Sequence, residues 1–265
     1  MGKSSSSGKA QCTVKDVTGT MPSVIAPQLA TAAKQVPAHG DCSYEIKLDG
    51  YRMMTRLKDG DVRFITRGGH DWTARLPGLQ EVLASLNIES AWLDGEVIVF
   101  NAAGRPDFSA LQNAFDSHST VDVVMFVFDL LWLNGTDLRA LPLRERRRLL
   151  REVLEEIDNP LVRFSEDFQE DPQSLLASAR KMQLEGLMGK RGDAPYRSGR
   201  STDWIKLKCN KRQEFVIGGF SRPRGAVTGV DSLLLGVFDQ NGSLRCNAPR
   251  CGYALDDSPF GGSVA

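Results

Sequence analysis

Lys47 lies in the run Tyr44-Glu45-Ile46-Lys47-Leu48-Asp49-Gly50-Tyr51-Arg52, at the end of a short strand-like segment and just before an Asp-Gly turn, with the cation of Arg52 close behind. A free lysine amine has a pKa of about 10.4 and is protonated at neutral pH, so it attacks an electrophile only where neighbouring cations or lost solvent favour the neutral form. Arg52 and later basic residues supply such cations. Taken by itself, the segment reads equally well as a solvated hairpin lysine. Two further groups are chemically suggestive. Glu96, in Leu93-Asp94-Gly95-Glu96, and Glu185, in Glu185-Gly186-Leu187-Met188-Gly189-Lys190-Arg191, are hard oxygen ligands suited to Mg²⁺, which binds through one or two carboxylates together with phosphate and water. Lys206 and Lys208 alternate in Trp204-Ile205-Lys206-Leu207-Lys208, so a strand puts both amines on one face. The competing reading of that pair is the solvated face of an edge strand.

Short strands must present these residues. Ser43 to Ile46, Arg52 to Leu57 and Val62 to Thr66 read as strands, with Lys58-Asp59-Gly60-Asp61 as the hairpin turn between the last two. Leu79 to Leu86 has helical spacing. Ala91 to Phe100 reads as a strand interrupted at Asp94-Gly95-Glu96, and Val121 to Leu133 as a buried strand. Leu143 to Ile157 is the clearest helix, with apolar residues three and four apart; its arginines Arg144, Arg146, Arg147, Arg148 and Arg151 read as a solvated face paired with Glu145, Glu152 and Glu155. A second helix, Ser174 to Gln183, precedes strands at Leu187 to Lys190 and Asp203 to Leu207. Beyond residue 212 the sequence turns strand-rich, at Glu214 to Phe220 and Ser232 to Asp239, which suggests the start of a small barrel or sandwich.

Composition narrows the class of protein. The chain has 265 residues, 41% of them hydrophobic, which excludes disorder throughout and fits one large domain or two smaller ones. Its 33 Lys and Arg balance 33 Asp and Glu, so any affinity for a polyanion must be local. Between Arg180 and Arg212, ten basic residues face three acidic ones, a footprint suited to a phosphate-rich partner. Residues 1 to 20, rich in Ser and Gly, read as a disordered leader or linker. Five scattered cysteines and no apolar signal segment point to a reducing, cytoplasmic setting. The longest apolar run is far shorter than the roughly 20 residues of a membrane span.

The lysine segment is followed, in order, by Thr66-Arg67-Gly68-Gly69-His70-Asp71, Leu93-Asp94-Gly95-Glu96, Val127-Phe128-Asp129-Leu130-Leu131, Glu185 to Arg191 and Trp204 to Lys208. This ordered set resembles the nucleotidyltransferase motifs of ATP-dependent DNA ligases, and its wording is similar to the ligase domain of the bacterial ligase D, or end-joining, type. The resemblance runs from Met21 to Leu244. It implies an α+β fold: a nucleotidyltransferase (ATP-grasp-like ligase) domain of antiparallel sheets with flanking helices over residues 21 to 211, then a partial oligonucleotide-binding (OB-fold) barrel over 212 to 265. It further implies Lys47 as the nucleophile that takes AMP from ATP, Glu45 at the adenine edge and Phe128 stacked on the base. Arg52 and Arg67 fall at the ribose and the DNA or pyrophosphate side, Glu96 at the ribose and metal, and Glu185 at Mg²⁺ or Mn²⁺. Lys206 and Lys208 fall at the α-phosphate, with Arg200, in Tyr196-Arg197-Ser198-Gly199-Arg200-Ser201, in the segment leading to them. The implied partners are nicked or broken double-stranded DNA and end-joining proteins, with the chain acting as a monomer.

Phe128 in an apolar strand also fits a plain core role. An RNA ligase or a capping-type nucleotidyltransferase would share the lysine and carboxylates, and Phe128 to Gly135 favours the DNA type only by resemblance. From Arg245 to Ala265 the family pattern is lost, which suggests a truncated or frame-shifted end with an incomplete barrel. A catalytically impaired ATP- or DNA-binding fragment is then a further reading.

Overall fold

Val124–Leu133 is apolar at every position except Asp129, and it forms β6, the long strand around which the larger of two compact units is organised. The computed structural model describes residues 19–36, 41–209, 216–221, 230, 232–238 and 243–246. The units divide between Cys209 and Asn210, two residues before the expected boundary.

On one side β6 pairs antiparallel with β5 (Ser90–Ile98), and on the other with β7 (Thr136–Asp137) and, in parallel, β8 (Val162–Phe164). Strands β3 (Tyr51–Lys58) and β4 (Asp61–Thr66) extend this sheet in the order β4-β3-β5-β6-β7. The interruption expected at Asp94-Gly95-Glu96 is a register shift inside a continuous β5. Such a bulge re-aims side chains without ending a strand. The second sheet runs β1 (Gln28–Ala32), β11 (Gly199–Lys208), β10 (Gly186–Arg191), β2 (Cys42–Ile46) and β9 (Asp167–Phe168). Because β1 lies parallel to β11 and β8 parallel to β6, the sheets are mixed where wholly antiparallel ones were expected. Strand β11 is also interior, between β1 and β10, which overturns the edge-strand reading of Lys206 and Lys208.

Three apolar clusters define the layers. Leu79, Val82 and Leu83 of α1 (Pro77–Ala84), Leu111 and Phe115 of α2 (Phe108–Asp116) and Leu149, Leu150 and Val153 of α3 (Leu143–Leu154) cover one face of the first sheet. Its other face meets the second sheet through Met54, Trp92, Phe128, Leu131, Trp132, Tyr196 and Trp204. Tyr44, Leu187 and Leu207, on the far side of the second sheet, pack with Ala179 of α4 (Pro172–Lys181) and with Leu184. Side chains alternate along β2, β10 and β11, so burying these outward residues turns Glu45, Lys190, Trp204 and Lys206 towards the first sheet. The short strands β7, β8 and β9 were not expected from sequence, nor were β1 and α2. Strand β1 has little to distinguish it, and α2 is started by Asp107, whose side chain accepts from Ala110 N at 2.9 Å.

The arginine-rich helix corrects the solvated-face reading. Arg148 does pair with Glu145 and Glu152, and Arg151 with Glu166. Arg146 and Arg147, however, fall on the same stripe as Leu143, Leu150 and Val153 and are buried. Arg146 is 0% exposed; its guanidinium donates to both oxygens of Asp129, at 2.7 and 2.8 Å, and to the Leu141 and Ala194 carbonyls. Asp129 is the one acid of β6, and a buried carboxylate is tolerable only beside a counter-charge.

The smaller unit contributes a three-stranded antiparallel sheet, β12 (Val216–Ser221), β13 (Ser232–Phe238) and β14 (Leu244–Cys246). Residues 1–18 of the expected leader and 247–265 of the end expected to be truncated or frame-shifted lie outside the described residues, as do 214, 215 and 239 of the expected strands. Gly19 and Met21 are attached to the larger unit: Gly19 N donates to Gly135 O at 3.1 Å, and Met21 packs beside Trp132 and its neighbours. No helix among the described residues is long and apolar enough to cross a membrane.

Removing one partner of a fully buried ion pair strands the other, at a cost of about 3–5 kcal/mol. Urea unfolding of Arg146→Met is therefore expected to show a loss of that order, while Arg148→Ala, on the exposed face of the same helix, changes stability by less than about 1 kcal/mol. Equal effects from the two substitutions would contradict the burial described.

Candidate active site

Strand register gathers the basic residues. Gly186 pairs with Lys208, Leu187 with Ile46, and Met188 with both Glu45 and Lys206. Lys47, one residue beyond Ile46, thus falls in line with Gly186 and Lys208, and its N–H donates to Gly186 O at 2.9 Å. The neighbouring row is Glu45, Met188 and Lys206. The turn after Lys47 needs its glycine for close approach: a Cβ on Gly50 would lie 2.2 Å from Val97 O. That proximity lets Gly50 N donate to Glu96 Oε1 at 3.1 Å, which links the lysine loop to β5 of the first sheet.

The amines converge on one carboxylate. Lys47 Nζ lies 2.5 Å from Glu185 Oε2, and Lys208 Nζ 3.2 Å from Glu185 Oε1. Burial, followed by the positive charges of Lys208, Lys47 and Arg200, pulls the Lys206 amine below the ordinary lysine range, with Glu185 opposing. Glu96 is pushed up to about 7, chiefly by burial, although Lys47, Arg52 and the Gly50 N–H favour its ionised form. Charges that sense one another in this way share one site. Lys47, Glu96, Glu185, Lys206 and Lys208 are brought together as expected.

The expected base end is packed differently. Glu45, 2% exposed, receives Arg147 Nη1 at 2.9 Å on Oε1 and Ser165 Oγ at 2.9 Å on Oε2, and Lys190 Nζ lies 2.6 Å from Oε1. The Lys190 amine sits 4.0 Å from the centroid of the Phe128 ring and 4.5 Å from that of Trp204; burial lowers its pKa and Glu45 resists. Phe128 meets Trp204 edge-on at 5.9 Å. Arg52 is committed to Asp94 through two bonds, of 2.8 and 2.5 Å, and its guanidinium lies 5.1 Å from the Phe128 centroid. Although burial opposes its charge, Asp94 holds Arg52 above its usual range. Tyr196 OH donates to the same Asp94 at 2.7 Å. Arg67 is exposed one residue beyond Thr66, which pairs with Met53, so it shares the sheet end that carries Arg52. Arg200 is exposed and donates to Ala30 O at 3.0 Å.

Arg147, Ser165, Asp94 and the packing of Lys190 were missed by the sequence reading. The available signal was an acid in a buried strand: Glu45, Asp94 and Asp129 each require a partner from elsewhere in the chain. A cavity of about 560 Å³ lies apart from the lysines, bordered by Asp41, Arg144, Arg148 and Arg151. Its arginines are spoken for by Asp41, Glu145, Glu152 and Glu166, which leaves little free positive charge for an anion.

The donor set beside Lys47 suits a hard cation. Among the described residues no three His, Cys, Asp or Glu side chains form a metal cluster. Glu96 and Glu185 supply the two carboxylates that Mg²⁺ commonly takes when phosphate and water complete its shell. An ion arriving with a phosphate ligand therefore fits this site.

A lysine and two glutamates thus meet between two sheets, backed by a pair of lysines on an interior strand. The model of the ATP dependent DNA ligase domain matches residues 25–208, and the chain belongs to that family. It is 51% identical over 225 residues to the multifunctional non-homologous end joining protein LigD of Pseudomonas aeruginosa; the match covers 85% of this chain but 27% of that protein, so the chain spans about a quarter of its relative. The crystal structure of the ligase domain of Mycobacterium tuberculosis LigD superposes with a TM-score of 0.61 at 34% identity, covering 88% of this chain and 74% of that one. A mycobacterial DNA ligase D complexed with ATP and MES gives a TM-score of 0.61 at 33% identity, covering 86% and 72%.

Glu96 generates a pH prediction. Its folded pKa of about 7 lies above the ordinary 4.5, so its contribution to stability is complete below 4.5 and is lost as pH rises through 7. Between pH 5 and pH 8 the wild type should lose roughly 2–2.5 kcal/mol relative to Glu96→Gln in urea unfolding. Parallel stability profiles for the two proteins would show that the carboxyl is not buried as described.

Proposed function

We propose that this chain is the adenylylating ligase part of a DNA end-joining protein, sealing breaks in duplex DNA with ATP. The observation that carries the reading is the meeting of Lys47 and Lys208 on Glu185, with Glu96 and Lys206 alongside. Lys47 Nζ, having lost its proton, attacks the α-phosphorus of ATP; the N–P bond forms as the bond to pyrophosphate breaks. A 5′-phosphate oxygen of the DNA then takes the AMP and frees the lysine. The 3′-hydroxyl finally attacks that 5′-phosphate and expels AMP. Each displacement builds charge on non-bridging oxygens, and to Lys206, Lys208 and Arg200 we assign the role of offsetting it.

Glu96 and Glu185 would hold Mg²⁺ or Mn²⁺, whose charge polarises phosphoryl oxygens when bound. Phe128 presents its ring to the base, and Glu45 accepts from the adenine edge. Arg52 and Arg67, at one sheet end, serve the ribose and the DNA or pyrophosphate side, Arg52 by exchanging its Asp94 partner. We assign β12, β13 and β14 to the beginning of an oligonucleotide-binding barrel, which fits a DNA substrate and residues 212 to 265 as a second domain.

Intact-mass spectrometry after exposure to ATP and Mg²⁺ tests the assignment. The wild type should gain one AMP, Lys47→Ala none, and Lys208→Ala should react more slowly by about tenfold or more, the loss of a charged hydrogen bond to phosphate. An AMP adduct on Lys47→Ala would remove the proposal.

A further inference from the structure

We infer that Arg147 is a positioning residue that fixes Glu45 as a reader of the purine amine, and so makes the site selective for adenine. The inference rests on the reading of Lys47 as the nucleotide acceptor.

One guanidinium joins four segments. Arg147 Nη1 donates to Glu45 Oε1 at 2.9 Å and to the Phe128 carbonyl at 3.1 Å; Nη2 donates to the Ser165 carbonyl at 2.6 Å and to Asp167 Oδ1 at 2.8 Å. It therefore ties the strand that leads to Lys47 directly to the strand that carries Phe128. The planar fork also fixes the direction of the Glu45 carboxylate, which a flexible lysine would not do.

Counting acceptors gives the chemistry. An ionised carboxylate has about four lone-pair sites. Two on Oε1 face Arg147 and Lys190, and one on Oε2 takes the Ser165 hydroxyl. One acceptor remains, on Oε2. A carboxylate carries no donor, so it can only accept. An exocyclic amine satisfies it, as in adenine. Guanine offers a carbonyl at the same edge, placing acceptor against acceptor, and that mismatch is a mechanism of rejection.

The test compares the rate of covalent labelling by ATP with that by purine riboside triphosphate, which lacks the exocyclic amine, within each variant. The wild type should prefer ATP by on the order of tenfold or more, the worth of a hydrogen bond to a charged group. In Arg147→Lys that preference should shrink several-fold and GTP labelling should rise relative to ATP, with the change carried by KM more than by kcat. Glu45→Gln should lose the preference as well, and combining it with Arg147→Lys should cost no further selectivity. Should Arg147→Lys not fold, Asp167→Asn loosens the guanidinium by its other arm and is read the same way. A variant that labels slowly but keeps the wild-type ratio of ATP to analogue overturns the inference and leaves Arg147 a structural residue. A wild type that takes no label from ATP fails earlier, at the proposed function, and takes this inference with it.

Discussion

Glu185 faces two amines at once, Lys47 from the loop after β2 and Lys208 from the end of β11. A carboxylate between two ammonium groups is well matched in charge but commits all three side chains to one another. Attack at phosphorus requires the opposite state, with Lys47 neutral and free. On the proposed function such a site works by exchange: a cation bound to phosphate would compete with the amines for Glu185, and the phosphate would compete with Glu185 for Lys208. The same reasoning covers Arg52, whose Asp94 partner occupies the guanidinium that a ribose or phosphate would otherwise engage.

Holding such a site together takes two sheets and an ionic frame behind them. Trp204, Phe128 and Tyr196 close the space between the sheets, and Arg146 and Arg147 reach into it from α3. Their ion pairs add little net stability compared with apolar packing, yet each is costly to break. The frame accordingly favours one geometry over many. Glu96 shows the opposite bargain, since its burial is unfavourable to the charged form that a metal would need. That cost is offset by the Gly50 N–H and by positive charge, from Lys47 and Arg52 or from a bound cation.

Much of this was legible in the amino-acid order. The segment around Lys47, the Asp-Gly-Glu run and the alternating lysines each lie on a strand near the expected position, because side-chain alternation and turn residues are local signals. The inner row of the site was not. Arg146 and Arg147 look like a solvated face when α3 is read alone, and only the positions of Leu143, Leu150 and Val153 show that they share the buried stripe. Glu45 was expected to be available to a ligand, yet its charge is balanced by Arg147, 102 residues away in sequence. Contacts of that range follow from tertiary packing, which no window of sequence contains. At Gly189 an added Cβ would come within 2.9 Å of both Tyr44 and Ile205, so in this chain the position is filled by its neighbours.

A crystal structure determined after soaking with ATP and Mg²⁺ tests the account most directly. It should show the α-phosphorus joined to Lys47 Nζ between the two sheets, with Glu185 drawn off the amine and the base against Phe128. Nucleotide bound instead in the arginine-lined cavity beside α3, with Lys47 still resting on Glu185, would contradict it.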